Sequence, residues 1–179
     1  NLVQTTARWS TFAQILFGIA SFAGFFSPKE NDFLIVLLIL DIVVQIIELA
    51  FYAVFVYYKQ LDTEYRYIDW YVTTPIQLIT NTALLNFFYD DTLTLESFFT
   101  DSRNDLLAIV AFNFVMLSFG LMAELYSSYK NILVTIGVVP FGCTFAIMYG
   151  KYAYKTSLGI GLNTYVCVVW ALYSVAAYL

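Results

Sequence analysis

Arg66 and Asp69 stand three residues apart in RYIDWYVTTPIQLIT (66–80), a stretch otherwise fit to sit in lipid. Thr73, Gln77 and Thr80 follow, so the polar positions recur at intervals of 3, 4, 4 and 3. That spacing lines one face of an α-helix. A second polar stripe runs through 32–58, where Asp41, Gln45, Glu48 and Tyr52 recur at 4, 3 and 4. Ionisable groups inside a membrane span are costly, and they normally face a bundle interior, a water cavity or one another. Two carboxylates on one face of the second stripe suggest a hydrated ion path, as rings of acid select cations in channels. The plainer alternative for Arg66 and Asp69, about one turn apart, is an ion pair that fixes helix packing, direct or through a water. For Asp41 and Glu48 it is a pair of protonated acids bonded to neighbouring helices.

The elements that must position these groups are membrane spans. Of 179 residues, 61 % are hydrophobic, 20 % aromatic and only 12 % charged, against about 25 % charged in a soluble domain. About 20 apolar residues cross a bilayer as a helix, and apolar segments fall at roughly 8–26, 32–58, 65–88, 105–126, 131–150 and 160–179. Asp32 and Asp105 are expected N-caps, and Pro28 closes the first loop. The acidic segment 89–104 reads as the one long loop. Short connections imply an antiparallel bundle of sequential neighbours in one transmembrane domain over 1–179. Pro75 removes a backbone hydrogen bond in mid-span, and nearby Thr hydroxyls can satisfy the freed carbonyl.

A net charge of −5 with scattered basic residues excludes a nucleic-acid partner. Cys143 and Cys167 each lie in an apolar run and read as small buried hydrophobes, not as a disulfide or metal site. There is no histidine, and no enzyme chemistry or metal is expected. Charge does not orient the chain: with the N-terminus outside, inner loops hold Lys29, Arg103, Lys151 and Lys155, outer ones Arg8, Lys59 and Lys130. Trp9, Tyr57, Tyr58, Tyr126 and Tyr129 near span ends suit interfacial anchoring.

R-Y-I-D-W-x-x-T-T-P-x-Q closely resembles the third helix of microbial (type I) rhodopsins, in particular the proteorhodopsin and bacteriorhodopsin group. The resemblance implies an all-α membrane protein, a seven-helix rhodopsin bundle of which helices one to six are present here. It also implies retinal, held as a protonated Schiff base, with Asp69 as counterion and proton acceptor. Arg66 would lie on the extracellular side, Thr73 beside Asp69, and Trp70 and Thr74 against the polyene. Gln77 falls at the colour-tuning site of proteorhodopsins. In the fourth span N-F-V-M-L-S-F-G-L (113–121) matches retinal-lining Met116 and Gly120, with Asn113 where bacteriorhodopsin has an aspartate. W-A-L-Y (170–173) matches the sandwiching Trp170 and Tyr173, and Gly137 and Phe141 fall at pocket positions in the fifth. Ser174 departs from the usual proline. Every lysine (29, 59, 130, 151, 155) sits at a span end, so the Schiff-base lysine is expected in a seventh helix beyond Leu179.

Pumps of this family usually keep a proton-donating carboxylate eleven residues after the acceptor, and here that position is Thr80, which cannot donate near neutral pH. Channelrhodopsins place glutamates along their second helix, and small viral rhodopsins share compact loops with acids there. The expected function is a light-gated cation channel with a path along Asp41, Gln45, Glu48, Tyr52 and Thr80. A slow outward proton pump and a photosensor remain open, as does a membrane protein without a chromophore. Expected partners are the lipid bilayer, protons or small cations, and further copies of the chain.

Overall fold

A computed structural model describes residues 2–26, 31–57 and 63–178. Pro28, Lys29, Tyr58 and Lys59 lie outside the described residues. Seven α-helices occur among them: α1 (Leu2–Ala23), α2 (Asp32–Tyr57), α3 (Arg66–Phe87), α4 (Leu95–Asp101), α5 (Arg103–Leu125), α6 (Lys130–Lys151) and α7 (Ser157–Tyr178). Six have 22 residues or more, about 33 Å each and enough to cross a bilayer.

Among the described residues four helices are both long and apolar enough to cross a membrane on length and composition: α2, α5, α6 with its flanking turns, and α7. The sequence reading expected six such spans. α3 has the length but carries too many polar residues to qualify by apolarity, the direct consequence of its stripe. In α1 an apolar stretch runs over Thr11–Ala23.

The helix starts differ from expectation in instructive ways. α2 begins at Asp32, but its cap is Asn31, whose Oδ1 accepts from the Phe33 N–H at 2.9 Å. Asp32 therefore occupies the first turn, where a carboxylate opposes the helix dipole. Segment 89–104 is not a continuous loop. Thr94 and Ser97 form a reciprocal capping box that starts α4, and one buried residue, Ser102, joins it to α5. Asp105 thus lies inside α5 and does not cap it. α7 starts three residues earlier than expected, because Thr156 is extended and its Oγ1 accepts from the Gly159 N–H at 3.0 Å.

The chain divides into two compact units, 1–80 and 81–179. In the first, α1 packs along α2, and Phe33, Val44, Phe55 and Leu78 are buried. In the second, α5 and α6 form the main packing pair, with α7 against α6. α5 buries Leu106, Ile109, Asn113 and Leu117, one helical stripe. Gly137 is buried at this contact: a Cβ there would sit 3.4 Å from Phe119 Cβ and 3.7 Å from the Met116 carbonyl, ordinary contact distances that leave little room for anything larger. Large apolar side chains such as Ile46, Val139 and Leu158 face outward at more than 60 % exposure, a surface suited to lipid and not to water.

Candidate functional site

The polar stripes of α2 and α3 lie in the first unit, and α1 joins them. Glu48 on α2 is the hub. Gln14 Nε2 on α1 donates to its Oε2 at 2.6 Å, and Gln77 Nε2 on α3 donates to its Oε1 at 2.9 Å. One carboxyl group therefore ties three helices together through bonds to both of its oxygens. Seven residues earlier on α2, Asp41 Oδ2 accepts from Ser21 Oγ on α1 at 2.5 Å. Glu48 is also within electrostatic reach of both Asp41 and Asp69. Gln45, between the two acids, presents a buried Oε1 with no hydrogen-bond partner.

Asp69 is 3 % exposed, and its Oδ1 is buried without a hydrogen-bond partner. Arg66 makes no ion pair with it among the described residues. The arginine instead stacks over the Phe55 ring, its guanidinium carbon 5.8 Å from the centroid, and leaves a buried Nε without a partner. One turn of helix places the two side chains beside the same residues, Phe51, Tyr52 and Phe55, but the cation–π contact turns the guanidinium aside. Of the two expected forms, direct or through a water, the direct ion pair is not formed.

The threonines of α3 turn back on their own helix. Thr73 Oγ1 donates to the Asp69 carbonyl at 3.0 Å, and Thr74 Oγ1 to the Trp70 carbonyl at 2.6 Å. Thr80 Oγ1 bonds to the carbonyls of Ile76 and Gln77, at 3.0 and 3.1 Å. Trp70 is half-buried, its ring edge-on to Tyr67 at 5.1 Å.

In the second unit Asn113 and Gly137 are buried, Met116, Gly120, Phe141 and Trp170 are half-buried, and Tyr173 is exposed. Phe141, Phe145 and Trp170 form an aromatic row from α6 to α7, with centroids 4.9 and 6.0 Å apart. Cys143 and Cys167 are free thiols. At the α5 start, Asp105 accepts from the Tyr152 hydroxyl at 3.0 Å and lies 3.9 Å from Lys151 Nζ. Lys155 stands over the Tyr89 ring at 4.6 Å.

Sequence reasoning missed Gln14 and Ser21, the α1 partners of the acids. Their signal was present: Thr11, Gln14, Gly18 and Ser21 recur at 3, 4 and 3 in an apolar helix. Phe55, the partner of Arg66, carried no such signal.

A family model described as "Bacteriorhodopsin-like protein" matches residues 3–179. No curated protein sequence matches the chain. Among solved structures, the crystal structure of viral rhodopsin OLPVRII superposes with a TM-score of 0.84 at 20 % identity, covering 100 % of this chain and 84 % of that one. At that identity the likeness speaks for the fold, and the family match over nearly the whole length supplies the rest. The chain belongs to the bacteriorhodopsin-like family, the retinal-binding microbial rhodopsins, and is an integral, multi-pass membrane protein.

Proposed function

We propose that this chain is a photoreceptor that moves ions, a light-gated cation channel whose closed path is latched at Glu48. The residues fit the retinal that the family carries. A deeply buried carboxylate whose Oδ1 has no partner, with the nearby arginine turned toward an aromatic ring, is an incomplete ion pair that asks for a positive group beside it. In the first unit Asp69, Trp70 and Thr74 would hold the group, with Gln77 as the tuning position. In the second the residues are Met116, Gly120, Gly137, Phe141, Trp170 and Tyr173. Retinal, once bound, supplies light absorption and a light-driven change of shape.

The observation that carries the channel reading is the double amide clamp on Glu48. With Gln14 and Gln77 in place, both carboxylate oxygens are engaged and the three helices close around them. Relative movement of α1 or α3 withdraws an amide and exposes an oxygen to a passing cation. Asp41 and Asp69 extend the row of acids to either side, the arrangement by which negative side chains favour cations.

A second reading has its own support. The partnerless Oδ1 of Asp69 is a ready place for a proton, and Thr80, bonded to its own helix, offers no donor to resupply one. That combination describes a slow outward proton pump. Voltage-clamped currents under illumination separate the cases. A current that reverses with the cation gradient supports the channel, a current of one sign at every voltage supports the pump, and none leaves a photosensor.

A further inference from the structure

We infer that Gln14 is a two-way positioning residue for Glu48: it donates to the carboxylate through Nε2 and, after a half-turn of its amide, accepts from the protonated acid through Oε1. The inference deepens the channel reading, since it concerns the same latch. It starts from what each atom can do. An ionised carboxylate only accepts hydrogen bonds, and a protonated one must also donate. In the structure both oxygens of Glu48 accept from amide nitrogens, the pattern of the ionised form. A proton arriving on Oε2 would face the Gln14 N–H and leave two hydrogens opposed.

The other end of the same amide resolves this conflict. Gln14 Oε1 is buried and has no hydrogen-bond partner. Rotation about the last side-chain bond therefore sacrifices no bond on that end, and it brings an acceptor to the position the nitrogen held. Gln45, one turn before Glu48 on α2, holds a second buried and partnerless Oε1. The surroundings thus contain unused acceptors, which are costly while no donor reaches them, and a protonated Glu48 is such a donor. Among the described residues, the charged groups that act on it are Asp69 on α3 and Asp41 on α2. Arg66 on α3 is turned toward Phe55, and Arg8 on α1 is exposed about two turns away. With Gln14 serving both forms, Glu48 gains or loses its proton while α1 stays attached to α2.

The test is infrared spectroscopy of the full-length protein in lipid vesicles, in the dark, across a pH series. Bands of Glu48 are assigned by their loss in Glu48→Gln. In Gln14→Met, similar in length but without polar ends, both the ionised carboxylate band and the protonated C=O band are expected to move, the latter to higher wavenumber as its partner is lost. An unmoved C=O band overturns the inference, because Gln14 then serves the ionised form alone. Absence of any protonated Glu48 band across the series overturns it equally. Should Gln14→Met fail to fold, Gln14→Leu replaces it with the same expectations. The spectra need neither light nor transport, so the channel reading can fail on its currents while this inference stands, and the reverse.

Discussion

Gln77→Leu removes one arm of the Glu48 clamp and leaves the other. The lost bond is 2.9 Å long and joins an amide N–H on α3 to a carboxylate on α2. Hydrogen bonds to charged groups contribute about 1.5–3 kcal/mol net. Because Gln77 is only half-buried, water can replace part of that donor, and the lower end is the better figure. If the bond exists in the closed state and is broken in the open one, its removal shifts the balance toward open by about tenfold, at about 1.4 kcal/mol per factor of ten. The assay is voltage clamp of the full protein with retinal, reading dark conductance and the closing rate after a light pulse. Dark conductance is expected to rise and closing to slow, each by about that factor. On a Glu48→Gln background the same substitution should change little, since the pair no longer includes a charge. Unchanged dark conductance and closing in Gln77→Leu, with Glu48→Gln altering both, would refute the clamp as a latch. A shift of the absorption maximum without any change in gating would assign Gln77 to colour alone.

Asp69→Asn is expected to move the absorption maximum to longer wavelength, because loss of the counter-charge favours the charge-shifted excited state; an unchanged spectrum removes Asp69 from that role. Asp90, exposed between α3 and α4, accepts from the backbone N–H of Thr92 at 3.0 Å and from its hydroxyl at 2.6 Å, which holds its carboxyl below the usual carboxylate range. A lowered value in the folded state favours folding above the ordinary carboxylate range and loses that contribution as pH falls through the lowered value. In Thr92→Ala a carbon NMR titration of Asp90 should show the midpoint move up toward the ordinary value, and an unmoved midpoint rejects the hydroxyl's part. Gly137→Leu forces a side chain between α6 and Phe119 and should cost about 1–3 kcal/mol of thermal stability, whereas Gly137→Ala, at ordinary contact distance, should cost far less. Tyr152→Phe, which deprives Asp105 of a hydroxyl donor at 3.0 Å, should lower stability by about 1 kcal/mol. Lys151→Ala, breaking a long ion pair with a largely exposed lysine, should cost less than half of that.

Apolar length made the spans visible and periodicity the two polar stripes, because a helix repeats every 3.6 residues and a polar group in lipid is conspicuous against its background. Asp41, Glu48, Asp69 and Gln77 were readable in that way; Glu48 accepts from Gln77 and is within electrostatic reach of Asp41 and Asp69. Helix starts were less legible. Asn31 and Asp32 are both good caps, and the choice depends on where the chain enters the helix, which no local pattern contains. α4 escaped notice because seven residues hold less than two full turns of amphipathic pattern, and the Thr94–Ser97 box departs from the usual acidic partner.

The partners across helices escaped for a deeper reason. Arg66 and Asp69 looked like a pair because sequence spacing reports only neighbours on one helix, where a one-turn separation suggests contact. Their actual environments are set by other helices. Phe55 of α2 takes the guanidinium, and the α1–α2 packing delivers Gln14 to Glu48 and Ser21 to Asp41. An amide or a hydroxyl in an apolar helix is a weaker signal than an acid, since it costs less to bury and can bond to its own backbone, as Thr73, Thr74 and Thr80 do. Charged residues thus announce that a site exists, while the neutral residues opposite them decide what it can do. In this protein the acids mark the stripe, and two glutamine amides, one from α1 and one from α3, join Glu48 of α2 to the helices on either side.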